Sequence, residues 1–302
     1  MKKLIIWIVC VVATVVCIDI AAGIVFDSYT ARHPLKGDYV MADHLINDAD
    51  EQLIVLGSSV GLNSIDTRRV QDSLGITAYN GASNGQAFPF YMTMLKCMLD
   101  RGHRPETVLL GVLDYNFGDE GVGNRYGFLA PYYGRGLGDI DRNMDGDRPF
   151  KKALLKSTFY RLNGSWFRIL LYNVVSPGVS GLNGFVAKGI PAAFPARTAI
   201  NGIVDITDER AAQLREFARL CTDNGIRLII FFPPRCITTS ESARFADNIR
   251  SIIDDGRVTV WDDTHMSPFD VDSTLFYDSN HININGSAIY TDTVINRLIS
   301  LK

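Results

Sequence analysis

The chain is expected to fold as a three-layer α/β/α domain on a parallel sheet, with an N-terminal transmembrane helix and an inserted cap region. Three observations predict this. Short apolar, β-branched runs alternate with amphipathic helical stretches over most of the chain, the pattern of βαβ units with helices on both faces of a sheet. The first 26 residues are nearly all apolar behind Lys2 and Lys3. From about 117 to 206 the alternation lapses into sequence rich in Gly, Tyr, Asn and Pro, too long for a simple loop.

Taken in order, Leu4 to Ile18 is unbroken apolar sequence, and after Asp19 the run resumes from Ile20 to Phe26. Its length matches the roughly 20 residues that cross a bilayer, and it lacks the polar face of a soluble helix. Ala21-Ala22-Gly23 offers a signal-peptidase site, but the apolar run outlasts a signal core. Cys10 and Cys17 each follow valine, which disfavours a lipoprotein signal. Residues 1–27 are therefore read as an uncleaved signal anchor. Lys2 and Lys3 remain cytoplasmic and the rest lies outside. Asp19 falls in the outer part of the span, where its cost is reduced.

Residues 28–50 form a connector with a short helix, and 51–302 the main domain with its insert at about 117–206. Within it, Gln52–Leu56, Ile76–Tyr79, Thr107–Leu113, Arg227–Phe232 and Val258–Trp261 read as strands. Ile65–Leu74, Phe88–Leu99, Thr207–Asn224, Ser240–Asp254 and Asn285–Leu301 read as helices. The insert is expected to hold short helices such as Phe150–Leu162 and to pack over the strand ends. Its Tyr and Phe residues either stack on sugar rings or pack the cap itself.

A net charge of -3 and the lack of a long Lys/Arg run exclude a nucleic-acid partner. Cys97, Cys221 and Cys236 show no metal or redox spacing and read as small buried side chains. No histidine pair or acidic cluster has metal-ligand spacing, and no cofactor is expected.

Open parallel sheets bind ligands beyond the carboxyl ends of their strands. Those ends carry Ser58, Ser59, Asn80, Gly85, Asp114, Asn116, Arg235, Asp262 and Asp263. Ser59 stands on a strand-to-helix turn, where a hydroxyl is exposed and helix-start N–H groups are at hand. Capping the next helix is the simpler role for such a serine. A nucleophilic hydroxyl needs a base, and the base needs a carboxylate. Asp278-Ser-Asn-His281 supplies both, just ahead of the last helix. Asp262-Asp-Thr-His265 has the same spacing and competes for the role.

Together these residues resemble the SGNH, or GDSL-like, hydrolase superfamily. Gly57-Ser58-Ser59 stands for its first block, with Ser58 where the family often has Asp. Asp278, His281, Asn283 and Gly286 match its last. Asn80 to Gln86 looks like the second block, which implies Gly85 as an oxyanion donor. The third departs from the family's Gly-x-Asn-Asp, reading Gly111-Val-Leu-Asp114-Tyr-Asn116, so either Asn116 or Asp114 takes that place. The Asn283 and Gly286 context favours His281 over His265. The resemblance implies a flavodoxin-like sheet and catalytic Ser59, Asp278 and His281. It also implies an oxyanion hole of Ser59, Gly85 and Asn116. The implied activity is an extracytoplasmic esterase or O-acyltransferase working through acyl-Ser59 on acetylated cell-envelope or exported polysaccharide. The alternative is a non-catalytic carbohydrate-binding or scaffold protein on this fold that assists a membrane acyltransferase.

Overall fold

The apolar runs become five parallel strands, β1 (Leu53–Gly57), β2 (Ala78–Asn80), β3 (Thr107–Gly111), β4 (Arg227–Phe232) and β5 (Thr259–Asp262), in the order β2-β1-β3-β4-β5. The computed structural model describes residues 1–117, 126–175, 183–199, 205–238 and 241–301, and the side chains of all of these except 241–243. The helices are, in chain order, α1 (Lys2–Thr30), α2 (Val40–Asn47), α3 (Ser59–Ser64), α4 (Thr67–Leu74), α5 (Phe88–Asp100) and α6 (Gly138–Asp145). After them come α7 (Pro149–Leu155), α8 (Thr158–Leu162), α9 (Ser165–Val175), α10 (Asp208–Asp223), α11 (Glu241–Ile253) and α12 (Ile284–Ser300).

Contacts divide the chain into two compact units, Met1–His44 with Tyr126–Gly178, and Leu45–Arg125 with Val179–Lys302. The second holds the sheet. Every residue of β1 and β3 is buried, as central parallel strands require, whereas edge strand β5 is half-buried along its length. The order 2-1-3-4-5 is that of flavodoxin-like sheets, and the strand order, not the chain direction, reverses between β1 and β3. Those strands are in register from Leu53 opposite Thr107 to Gly57 opposite Gly111. The chain segments leaving Gly57 and Gly111 therefore emerge side by side at the switch point.

The expected helix from Ile65 starts later, at Thr67, because Asp66 accepts the N–H groups of Arg68 and Arg69 and caps it. Ahead of it lies α3, six residues and nearly all buried, a helix within the turn after β1 that the apolar pattern does not predict. The buried amide of Asn80 fixes α3 by donating to the carbonyls of Gly61 and Ile65, at 3.0 Å each. Cys97, Cys221 and Cys236 are buried, and burial pushes the Cys221 thiol up to about 12.

Residues 126–178 group with the N-terminal segment, and 183–199 belong with the sheet unit. Parts of the insert (118–125, 176–182 and 200–204) lie outside the described residues. The cause of the grouping is a set of contacts distant in sequence. Asp19, in the apolar face of α1, needs donors, and the start of α8 has them. Its carboxylate accepts from Ser157 Oγ (3.2 Å), Thr158 N (3.2 Å) and Phe159 N (2.8 Å). The rings of Tyr132 and Tyr133 are buried rather than open to sugar, with hydroxyls bonded to Asp43 and Asp145.

Candidate active site

The site grows from the turn after β1. Gly57 sits at φ +134, and a Cβ there would lie 2.0 Å from the carbonyl oxygen of Gly111. With both residues lacking side chains, the backbone turns sharply and Ser58 N donates to Gly111 O at 3.2 Å. Ser59 is thereby the first residue of α3, half-exposed, in the turn whose N–H groups have no intrahelical partner.

Its partner comes from the other end of the sheet unit. Leu275 to Asn283 form a tight hairpin, bridged at Phe276 and Ile282, with Tyr277 N donating to His281 O at 2.8 Å. Asn283 holds its base. The amide donates to Thr274 O (2.7 Å) and Phe276 O (3.2 Å), while its oxygen caps α12 by accepting from Asn285 N and Gly286 N. A side chain at Gly286 would collide with Leu275 O at 2.3 Å. The Asn and Gly of this block thus have a structural task. Thr291 on α12 then accepts from Asp66 N (3.0 Å) and donates to Ser64 O (3.2 Å), clamping the helix to the end of α3.

The result is a relay. Ser59 Oγ lies 2.7 Å from His281 Nε2, and His281 Nδ1 lies 2.8 and 2.9 Å from the two oxygens of Asp278. With the Nδ1 proton directed to the carboxylate, Nε2 is free to accept the serine proton. Asp278 Oδ1 also accepts the N–H groups of Asn280 and His281, each at 2.9 Å. Burial raises the Asp278 pKa, but hydrogen bonds from the His281 side chain and these N–H groups outweigh it and hold the carboxyl below its usual range.

That direction carries a prediction. A depressed carboxylate contributes stability above its unfolded pKa of about 3.9 and loses it as pH falls through the lower folded value. In detergent, Asp278→Asn is expected to melt below the parent at neutral pH, with the gap closing only well under pH ~4. A gap that does not change with pH would show that the carboxylate charge is not what holds the hairpin.

Other expected residues fall differently. Gly85 is exposed at φ +65 in the loop after β2, and that loop is stitched to β1 by Gly81 N to Val55 O (2.8 Å) and Ser83 N to Gly57 O (2.9 Å). Asn116 is fully buried, its oxygen accepting Leu113 N at 2.7 Å and its amide donating to Gln86 O at 3.3 Å. It organises the turn after β3, and the bond to Gln86 uses one of the two amide N–H donors. Asp114 pairs with buried Arg235 at 3.4 Å, and Arg235 also donates to Asn280 Oδ1 at 3.1 Å from Nε and 2.8 Å from Nη2. Burial lowers the Arg235 pKa against the opposing pull of Asp114. This cation ties the turn after β3 to the relay loop; its sequence signal is a lone Arg after the apolar run Leu228-Ile-Ile-Phe-Phe-Pro-Pro234.

Tyr115 was not singled out in the sequence. Burial raises its pKa against the pull of Arg235. The competing motif, Asp262 to His265, lies at the end of β5. Asp263 is buried and bound by Arg297 through two contacts of 2.7 Å and by the Tyr290 hydroxyl at 2.8 Å, while His265 is exposed. Asp262, at the end of β5, accepts Thr264 N at 3.2 Å.

No protein-family model matches the chain, and no curated protein does either.

Proposed function

We propose that the chain is a membrane-anchored serine esterase or O-acyltransferase of the SGNH, GDSL-like kind, with α1 as its anchor and the sheet unit outside the cytoplasm. The observation that carries this reading is the Ser59–His281–Asp278 relay at the end of β1, where hydroxyl, imidazole and carboxylate meet at 2.7 and 2.8 Å. The 2-1-3-4-5 strand order and the structural roles of Asn283 and Gly286 support it further.

In this mechanism Ser59 Oγ attacks an ester carbonyl and its proton passes to His281 Nε2. Asp278 holds the imidazole and stabilises its charged form. The N–H groups of Ser59 and Gly85 hold the oxyanion, each such donor being worth about 3 kcal/mol of barrier. The Asn116 amide, with one N–H beyond that given to Gln86 O, is the side chain that adds a third donor. Collapse returns the proton to the leaving alcohol and leaves acyl-Ser59. Water or a second hydroxyl then takes the acyl group. The anchor favours acetylated carbohydrate of the cell envelope or of exported polysaccharide as substrate.

A fluorophosphonate probe tests the reading. Folded protein is expected to label at one site, and Ser59→Ala to abolish the label. A folded parent chain that does not label would replace this proposal with a binding or scaffold role beside a membrane acyltransferase.

A further inference from the structure

Helix α9 carries its apolar stripe on the outside. Trp166, Phe167, Leu170, Leu171 and Val174 recur at helical spacing on one face, and all are exposed, Phe167 by 61% and Val174 by 82%. The opposite face is the occupied one. Ile169 is buried, and Asn173 accepts Lys36 N at 3.1 Å and donates to Pro34 O at 3.1 Å. In water an amphipathic helix packs the other way round, apolar face inward. Phe150 and Phe159 extend the exposed surface onto α7 and α8.

Charge on this stretch departs from the rest of the chain. Residues 148–175 contain Arg148, Lys151, Lys152, Lys156, Arg161 and Arg168 and no acidic residue, in a protein of net charge -3. Aromatic and aliphatic side chains beside Lys and Arg are the composition of helices that lie in a bilayer interface, drawn by apolar burial and by anionic headgroups.

Geometry sets the depth. Lys3 and Asp19 are sixteen residues apart, about 24 Å along a helix, against a hydrocarbon core about 30 Å thick. Asp19 therefore lies in the outer leaflet if Lys3 marks the inner boundary, and Asp19 caps α8. The attachment is close, since a Cβ on Gly23 would lie 2.4 Å from Thr158 Oγ1, and Asp27 pairs with Arg135 at 2.7 Å. Between α1 and α8–α9 lies a cavity of about 270 Å³ with an almost wholly apolar lining that includes Val25, Phe26, Phe159, Leu162, Trp166 and Leu170.

Lys152, Arg161 and Arg168 pair with Asp147, Asp27 and Asp38. We infer that α7–α9 are seated in the outer leaflet of an anionic bilayer, with the α9 stripe among the acyl chains, Lys151 and Lys156 at the phosphates, and an acyl chain in the cavity beside α1. This rests on reading α1 as a membrane anchor. The occupant is lipid, because the surface is continuous with the span itself and its charge is complementary to anionic headgroups.

The chain contains three tryptophans, Trp7, Trp166 and Trp261, which makes a fluorescence test direct. Two full-length single-tryptophan proteins are needed. Trp7→Phe with Trp261→Phe leaves Trp166; Trp166→Phe with Trp261→Phe leaves Trp7. Each is reconstituted in phosphatidylcholine–phosphatidylglycerol vesicles carrying a nitroxide at a shallow or a deep acyl position. Trp166 is expected to lose most of its emission to the shallow nitroxide, less to the deep one, and little to aqueous iodide. Trp166 open to iodide while Trp7 is quenched by lipid would overturn the inference and leave the face to a protein partner. Failure of lipid to quench Trp7 would remove the anchor reading, and this inference with it.

Discussion

Ser59→Ala, His281→Ala and the double variant are each expected to lower kcat/KM on a chromogenic acetate ester by a similar factor, about 10⁴- to 10⁶-fold. The reason is the 2.7 Å contact between Ser59 Oγ and His281 Nε2. A serine hydroxyl is a weak nucleophile until a base takes its proton, and that base has no other work once the hydroxyl is gone. The two losses therefore overlap instead of multiplying. Asp278→Asn is expected to cost less, because the imidazole and hydroxyl remain and only tautomer control and charge stabilisation are lost. His265→Ala should leave activity unchanged, since His265 is exposed and the Ser59 hydroxyl is paired with His281. Losses in the double variant that multiply would mean the pair does not act as a unit. Full activity in Ser59→Ala would remove Ser59 from the chemistry.

How legible these features are in the sequence depends on how local their causes are. Strands β1, β3 and β4 stand out because a central parallel strand is buried on both faces and reads as one apolar run. Helix α3 does not, since its six residues include Gly61 and Asn63 and it is held by the Asn80 amide from another element rather than by propensity. His281 was distinguishable from His265 by Asn283 and Gly286, whose capping and close approach act within a few residues. The occupation of Asn116 by Leu113 and Gln86 was not legible, because an Asn after a strand has the same composition whether it faces a ligand or ties its own turn. The grouping of 126–178 with α1 was illegible for a related reason. Aromatic residues announce that a surface needs covering without naming the cover, and the Asp19 cap on α8 joins positions 138 to 140 residues apart.

The same distinction between local and distant causes separates two glycines that look alike in the sequence. Gly57→Ala is expected to be among the most destabilising single substitutions in the sheet unit. At φ +134 an alanine is strained by about 1–3 kcal/mol before any contact is considered. Its Cβ would then lie 2.0 Å from Gly111 O and 2.8 Å from Gly111 C, backbone atoms of a central strand that no rotamer change can move. Relief requires β1 and β3 to part at their carboxyl ends, which displaces Ser59 as well. A total loss above about 4 kcal/mol is expected, read as a fall in melting temperature of about 10 °C, together with loss of fluorophosphonate labelling in whatever remains folded. Gly75→Ala is the control. Gly75 ends α4 at φ +65 with nothing within 4 Å of the added Cβ, so only the left-handed conformation is penalised, by about 1–2 kcal/mol. Equal melting temperatures for the two variants would contradict the close approach of Gly57 and Gly111, and with it the physical reason for a glycine immediately before Ser58-Ser59.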